Sequence, residues 1–264
     1  MTQYPPPSNS STPSTGQPQE PLPPQQAVRV ALPQSAPYMT YSIVGVTVIF
    51  FILQLATQVL ARVDLPAVFF IKSNELIRAG QVWRLLTPAL LHDTHFPFLH
   101  ILFNMYALFV FGTGLERHFG HGRFLLLYVL GAFAGNVLSF LFTDGNSLGA
   151  STAIFGLLGA EGVFLYQNRK LFAGQFRSAI GNIIFIAAIN LFIIGSLPGI
   201  DNWGHIGGLL GGLIFTWFAG PLWQFEGIYP AYHLVDKRPI REVIVGAATV
   251  VLIFGGLALW GMVR

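Results

Sequence analysis

Seven apolar stretches, each close to the roughly twenty residues that a bilayer-spanning helix requires, constrain this chain more than any other feature. They cover residues 41–61, 98–115, 124–142, 151–167, 180–197, 204–219 and 243–263. Only 9% of the 264 residues are charged, whereas soluble domains typically contain about 25% charged residues. The sequence therefore predicts an all-α fold, a polytopic membrane helix bundle.

The first 38 residues differ from the rest, because they contain ten of the seventeen prolines, separated mainly by Ser, Gln and Thr. Such a segment cannot bury enough apolar surface to offset the entropy lost on ordering. It also lacks the basic start and apolar core of a cleavable signal peptide. We expect residues 1–38 to be a disordered cytoplasmic tail, residues 39–220 a six-helix core, and residues 221–264 a basic loop with an additional transmembrane helix.

The basic residues indicate an orientation, since cytoplasmic loops of membrane proteins are enriched in Lys and Arg. With a cytoplasmic N-terminus, that side would contain Arg29, Arg117, Arg123, Arg169, Lys170, Arg177, Lys237, Arg238 and Arg241. Segment 62–97 is an exception with four basic residues on the outer side, and longer loops follow the rule less closely. We expect an integral multi-pass protein of a bacterial cytoplasmic membrane. The net charge of +3 is too small to indicate a nucleic-acid partner.

Gly149-Ala150-Ser151 opens the fourth apolar stretch. A serine at a helix start lies beside unpaired backbone N–H groups and the positive end of the helix macrodipole. These conditions stabilise an oxyanion. Taken alone, however, Ser151 is more simply explained as a small residue at a helix contact, where Ser, Gly and Ala are common in membrane proteins.

His205 favours the catalytic interpretation of Ser151 over the packing interpretation, because it lies near the start of the sixth apolar stretch. An ionisable residue within a membrane span is energetically costly and indicates function. With a cytoplasmic N-terminus, the second, fourth and sixth helices all begin at the outer face, so His100, Ser151 and His205 should lie at similar depth. Serine needs a base within hydrogen-bond reach to act as a nucleophile. We therefore expect His205 to be the general base for Ser151.

His100 and Asn104 lie on one face of the second helix, because four residues are about one helical turn. Either side chain could donate to an oxyanion, and each such donor typically contributes about 3 kcal/mol. The alternative for Asn104 is an interhelical hydrogen bond of about 1 kcal/mol, and the sequence favours neither. We expect Asp201, one turn before His205, to be a solvated loop residue and not a third member of the pair.

Four separated motifs resemble those of the rhomboid family of intramembrane serine proteases, over about residues 83–219. They are Val82-Trp83-Arg84, His100-Ile101-Leu102-Phe103-Asn104, Gly149-Ala150-Ser151 and Gly204-His205-Ile206-Gly207-Gly208. The resemblance implies a rhomboid-like six-helix core with a seventh, C-terminal transmembrane helix added. It also implies that Ser151 is the nucleophile and His205 the general base of a dyad. His100, Asn104 and the Ser151 backbone N–H would form the oxyanion hole.

The resemblance further implies an endopeptidase that cleaves in or near the transmembrane segments of other membrane proteins. Its partners would be transmembrane substrates and the lipid bilayer, with no cofactor and no metal. Thr152 and Phe155 depart from residues common in the family, and we expect activity to survive both. Phe155 keeps the aromatic ring that packs against the histidine. Glu116 and Arg117 also match the family, and we expect a solvated ion pair there, with attachment of a cytoplasmic loop as the alternative.

The sixth helix carries Gly204, Gly208 and Gly212 at a spacing of four residues. This pattern allows two helix backbones to cross closely. If these glycines face the small residues of the fourth helix, the crossing brings His205 to Ser151.

Three other functions are alternatives. A transporter or channel would suit seven helices, but the sequence contains no internal repeat or pair of broken helices. A catalytically inactive rhomboid-like factor that binds membrane proteins would usually lack the serine or the histidine, and both are present here. A metal-dependent membrane protease would require a His-Glu-x-x-His motif. That motif is absent from the sequence, and we expect His92 and His95 to be solvated loop residues.

Overall fold

The structure, a computed structural model, describes residues 34–95, 98–172, 174–228 and 231–264. The predicted disordered tail, residues 1–38, therefore lies outside the described residues except for its last five. The helices are Tyr38–Ala61 (α1), Leu65–Phe70 (α2), Asn74–Arg78 (α3), Leu99–Ala107 (α4), Thr113–Phe119 (α5), His121–Phe142 (α6), Ser151–Gln167 (α7), Phe176–Ala188 (α8), Asn202–Ala219 (α9) and Ile240–Met262 (α10). Short 3-10 helices cover Val82–Leu85, Thr87–Leu90 and Ile194–Ser196, and π-helical turns cover Leu108–Gly112 and Ile189–Ile193.

The seven predicted apolar stretches correspond to seven long helical segments. A π-helical turn joins α4 to α5 in one segment, Leu99–Phe119, and α8 continues into the segment Phe176–Ser196. Five helical segments of the described chain are long and apolar enough to cross a membrane: α1, Leu99–Phe119, α6, Phe176–Ser196 and α10. The other two, α7 and the glycine-rich α9, are 17 and 18 residues long and largely buried by their neighbours. The prediction of a polytopic helical membrane bundle is confirmed.

The centre of the bundle consists of α6, α7 and α9, which pack against one another in pairs. Glycines allow their backbones to meet: a Cβ on Gly131 of α6 would lie 3.2 Å from the Cα of Gly156 on α7. A Cβ on Gly207 of α9 would lie 2.9 Å from the Cα of Gly135 on α6. Small residues serve this role in membranes, because packing between helices replaces the hydrophobic driving force available in water.

Hydrogen bonds from side chains to its own backbone carbonyls hold the segment between α1 and α4 together. The guanidinium group of Arg84 donates hydrogen bonds of 2.7 Å to the carbonyl oxygens of Val68 and Ile71. The indole N–H of Trp83 donates to the Phe69 carbonyl at 3.1 Å. The Trp83-Arg84 motif therefore ties the end of α2 to the following 3-10 helix.

Glu116 fixes the start of α1, and our prediction of a solvated ion pair there was wrong. The Glu116 side chain is completely buried. Its carboxylate accepts hydrogen bonds from the backbone N–H groups of Met39 and Thr40, at 2.8 and 2.7 Å, and from the Thr40 hydroxyl at 2.7 Å. His121 Nδ1 lies 2.6 Å from Oε1, the same carboxylate oxygen that accepts from Met39. Because the first N–H groups of a helix have no intrahelical acceptor, Glu116 caps α1 from another helix.

The loop predicted between the sixth and seventh helices contains a β-hairpin. Strand Trp223–Glu226 (β1) pairs antiparallel with strand His233–Asp236 (β2). Arg123, near the start of α6, holds this hairpin through an ion pair with Asp236 at 2.5 Å. The hairpin connects α9 to α10, which packs against α6 and α9 on the outside of the central helices.

Candidate active site

Two helix starts meet at the candidate site. Helix α7 begins at Ser151, whose side chain is half-buried, and α9 begins at Asn202, three residues before the buried His205. The Ser151 hydroxyl oxygen lies 3.0 Å from Nε2 of His205. This separation is hydrogen-bond distance, so Nε2 can accept the hydroxyl proton. The predicted convergence of the two residues is confirmed.

Phe155 sets the orientation of the His205 ring. The two rings are stacked at 4.3 Å between centroids with 10° between their planes. When Nε2 accepts from Ser151, the ring proton lies on Nδ1. Among the described residues, nothing accepts a hydrogen bond from this buried Nδ1. The imidazole is therefore oriented by aromatic stacking and helix packing, without a carboxylate on its second nitrogen.

The crossing of α7 and α9 explains how His205 reaches Ser151. A Cβ on Gly208 would lie 2.8 Å from the carbonyl carbon of Thr152, and a Cβ on Gly212 would lie 2.6 Å from the Cα of Gly156. Both distances are too short for a real side-chain atom. The predicted glycine ladder therefore faces α7. Thr152 fits at this crossing because Gly208 presents only backbone there.

His100 lies against the loop that precedes Ser151. Its Nδ1 accepts a 3.3 Å hydrogen bond from the backbone N–H of Asp93, so its proton lies on Nε2. A Cβ on Gly149 would lie 2.8 Å from this Nε2 atom. Gly149 also has φ of +130°, a conformation that side chains other than glycine rarely adopt. A glycine is required here on both counts, and it leaves the Nε2–H of His100 close to the nucleophile loop.

Asn104 is buried one turn further along α4. Its side-chain amide donates a 2.8 Å hydrogen bond to the His100 carbonyl, within the same helix. The sequence left two roles open for Asn104, an interhelical hydrogen bond and donation to an oxyanion at Ser151. The observed bond fits neither role, because it lies within α4. The second amide hydrogen is available to another acceptor, because a primary amide has two donors.

His92 was missed by the sequence reasoning, and the prediction that it is solvated was wrong. Its side chain is completely buried, whereas His95 is exposed as expected. Nε2 of His92 accepts a long, 3.5 Å hydrogen bond from the backbone N–H of Ala150, and its ring lies 5.1 Å from the His100 ring. Burial, aided by the neighbouring His100, lowers the pKa of His92 to about 3. A neutral imidazole therefore supports the loop that carries Ser151.

Asp201 is not a solvated loop residue, as we had expected, but the N-cap of α9. Its Oδ1 accepts hydrogen bonds from the Gly204 backbone N–H at 3.0 Å and from the Thr143 hydroxyl at 2.7 Å. The Ser139 hydroxyl donates to its Oδ2. Burial alone would raise the pKa of Asp201, but these hydrogen bonds outweigh burial and hold the pKa below its usual value. An Asp before a helix start is a recognised capping signal, and it could have been found in the sequence.

The arrangement can support nucleophilic chemistry with proton transfer. It combines a hydroxyl at a helix N-terminus, an imidazole acceptor at 3.0 Å, and a second imidazole whose N–H faces the nucleophile loop. Unpaired backbone N–H groups at the start of α7 add further donors beside Ser151. Within the described ranges, no group of three or more His, Asp or Glu side chains is arranged to hold a metal ion.

Comparison with known proteins identifies relatives of this chain. Residues 79–222 match the sequence pattern of the Rhomboid domain. Rhomboid protease GluP of Bacillus subtilis is 37% identical over 221 residues, which cover 84% of this chain and 41% of GluP. RHOMBOID-like protein 1 of Arabidopsis thaliana is 44% identical over 190 residues, which cover 69% of this chain and 48% of that relative.

The matched region is confined to part of these relatives, since it spans about half of their length. In this chain it includes Ser151, His205, His100 and Asn104, the four residues singled out from the sequence. The domain match covers more than half of the chain, and the similarity to GluP extends beyond it. The chain therefore belongs to the rhomboid family.

Proposed function

We propose that this protein is an intramembrane serine endopeptidase that uses Ser151 as nucleophile and His205 as general base. The main support is the 3.0 Å distance between the Ser151 hydroxyl oxygen and Nε2 of His205. Both residues lie in a bundle whose helices include five that are long and apolar enough to cross a membrane. The name of the relative GluP, a rhomboid protease, supports the same reaction class.

The reaction would proceed through an acyl-enzyme. His205 takes the Ser151 proton as the hydroxyl oxygen attacks the substrate carbonyl, and then returns that proton to the leaving amine. The negative charge on the tetrahedral oxygen would be stabilised by the Ser151 backbone N–H and by Nε2–H of His100. Asn104 would contribute its second amide hydrogen. Water then attacks the acyl group and gives a proton to His205, which passes it to the Ser151 oxygen as the second product leaves.

The substrates we propose are transmembrane proteins cleaved near the outer end of a span. Ser151 lies at the start of α7, so the reacting atoms lie near one end of the bundle and not at its middle. We assign that end to the outer face, because the Lys and Arg residues at the opposite helix ends favour the cytoplasmic side. A substrate helix must unwind there, since its backbone hydrogen bonds shield the peptide bond. Helix-breaking residues near the cut should therefore increase the rate.

The direct test is labelling of the purified protein in detergent by a fluorophosphonate, a reagent that reacts covalently with activated serines. The wild-type chain should be labelled at Ser151, and the Ser151→Ala and His205→Ala variants should not. The same variants should leave a single-span reporter protein uncleaved while retaining the wild-type thermal unfolding midpoint. A folded wild-type protein that neither reacts with the reagent nor cleaves any reporter would point to the binding-only alternative.

A further inference from the structure

The start of α9 is held by a charged network that the proposed reaction does not use. We propose that Asp201 is a positioning residue, which keeps His205 at hydrogen-bond distance from Ser151 by fixing the first turn of α9, with Lys72 as its buried counter-charge. This inference rests on the proposed function of Ser151 and His205, and it assigns no direct contact between Asp201 and the substrate.

Asp201 joins the first turn of α9 to the C-terminal end of α6. Its carboxylate binds the Gly204 N–H within α9 and the hydroxyls of Ser139 and Thr143, both at the C-terminal end of α6. Its backbone carbonyl accepts a 3.2 Å hydrogen bond from the N–H of His205 itself. His205 is thus joined to Asp201 through the backbone. The Asp201 carboxylate in turn joins this turn of α9 to the end of α6.

Ser139 connects this network to the loop that precedes Ser151. Ser139 Oγ lies 3.0 Å from Ser147 Oγ, in the loop that leads to Ser151. The backbone of Ser147 exchanges two hydrogen bonds with the backbone of Lys72, at 3.1 and 3.2 Å. The network therefore reaches both helix starts of the dyad, one through Asp201 and the other through Ser147.

Lys72 adds a buried positive charge to this network. The Lys72 side chain is completely buried, and its ammonium group donates 2.9 Å hydrogen bonds to the carbonyl oxygens of Thr143 and Gly145. Burial lowers the pKa of Lys72 to about 8, against the attraction of Asp201 and Asp144, while Arg78 adds repulsion. A buried ammonium group requires a compensating charge. Asp144 is exposed, whereas Asp201 is partly buried. Thr143 links Asp201 to Lys72, because its carbonyl accepts from the Lys72 ammonium group and its hydroxyl donates to the Asp201 carboxylate. We therefore assign the compensating charge to Asp201, which acts across Thr143 and not through a direct ion pair.

A direct role in orienting the imidazole is inconsistent with the geometry. The described residues provide no acceptor for Nδ1 of His205, and both oxygens of Asp201 are occupied by other donors. Asp201 must therefore act through the position of α9. A displacement of about 1 Å at a catalytic group can reduce a rate about a hundredfold, so a small shift of this helix start has a measurable effect.

The test compares Asp201→Asn with Asp144→Asn, which removes the exposed carboxylate from the same neighbourhood. Cleavage of a single-span reporter in detergent should show kcat about tenfold lower for Asp201→Asn, with KM unchanged. Asp144→Asn should remain within about twofold of the wild type. Measurements are made well below the unfolding midpoint of each variant, so that loss of folded protein does not contribute. An unchanged kcat for folded Asp201→Asn would overturn the proposal.

Asp201→Ser separates the network from simple helix capping. Serine can still cap the Gly204 N–H, but it cannot hold the Ser139 and Thr143 hydroxyls together or compensate Lys72. We expect a reduction in kcat similar to that of Asp201→Asn. Full activity of Asp201→Ser would show that a neutral cap is sufficient, and that outcome also contradicts the role assigned to the charged network.

A final measurement does not depend on peptide hydrolysis. The chain contains no cysteine, so Ser151→Cys introduces a single thiol. Its alkylation by iodoacetamide at neutral pH should be accelerated by the neighbouring His205, because the thiolate is the reactive form. Adding Asp201→Asn should reduce that rate about tenfold if the imidazole moves away. If the wild-type protein has no peptidase activity but the alkylation rate depends on Asp201, the proposed function is refuted and the positioning role is not. An alkylation rate unaffected by Asp201→Asn would refute the positioning role.

Discussion

Replacing Gly208 by alanine should separate the two helices that carry the dyad. The added Cβ would lie 2.8 Å from the Thr152 carbonyl carbon and closer still to the carbonyl oxygen. Ordinary contact begins at 3.4 Å, so relief of the carbon contact alone requires a shift of roughly 0.6 Å, the difference between 3.4 and 2.8 Å. His205 lies three residues earlier on the same helix. A comparable shift there would lengthen the 3.0 Å contact with Ser151 to about 3.6 Å, which is no longer a hydrogen bond.

The expected consequence is a loss of general-base catalysis, which typically contributes a factor of about 10² to 10⁴. We predict that Gly208→Ala lowers kcat by at least about a hundredfold while the protein still inserts and folds. Gly256→Ala is the matched control, since a Cβ on Gly256 of α10 would meet no atom within 4 Å. The assay is reporter cleavage in detergent alongside thermal unfolding of both variants. Wild-type turnover by Gly208→Ala would refute the argument that this crossing sets the dyad distance.

Three further predictions concern Glu116, His92 and the N-terminal tail. Glu116→Ala should lower the free energy of unfolding by about 3 kcal/mol, because it leaves the N–H groups of Met39 and Thr40 without their acceptor, whereas Glu75→Ala at an exposed position should change it little. Thermal unfolding measures both, and equal effects would contradict the capping role. His92→Gln should reduce the loss of stability on acidification. The folded-state pKa of His92, about 3, lies below its ordinary value of 6.5, so the unfolded chain binds the extra proton and stability falls as pH decreases between these values. An unchanged pH dependence would exclude His92 as the cause. A truncated chain that begins at Pro37 should retain reporter cleavage, because the composition of the removed residues favours no fixed structure; a folded but inactive truncated protein would refute this.

The helical bundle and the meeting of Ser151 with His205 could be predicted, because both follow from patterns along the chain. Apolar length predicts membrane helices, and the alternating direction of successive helices brings every second helix start to the same face. The four-residue spacing of Gly204, Gly208 and Gly212 then predicts a close crossing. Each of these steps needs only local sequence and the order of the helices.

The roles of Glu116 and His92 could not be predicted in this way, because their partners are remote in sequence. Glu116 accepts a hydrogen bond from Thr40, 76 positions away. His92 accepts one from the backbone N–H of Ala150, 58 positions away. A buried acceptor and a solvated charge have the same sequence signature when the partner is unknown. The β-hairpin was also missed, although the sequence Trp223-Gln224-Phe225-Glu226 before Gly227 alternates apolar and polar residues as a strand does.

The packing of α8 bears on the proposed reaction, because a transmembrane substrate would have to reach a site enclosed by other helices. No residue of the segment Phe176–Ser196 is buried, whereas α7 and α9 are largely enclosed. Its C-terminal end is joined to the start of α9 by a hydrogen bond of 2.9 Å from the Asn202 side chain to the Leu191 carbonyl. Opening between α8 and the central helices therefore disrupts few buried contacts, while Asp201 and the glycine crossing keep His205 against Ser151. In the proposed reaction, a rigid Ser151–His205 pair beside a weakly packed helix would allow lateral entry of the substrate without displacement of the reacting atoms, and such motions can limit turnover.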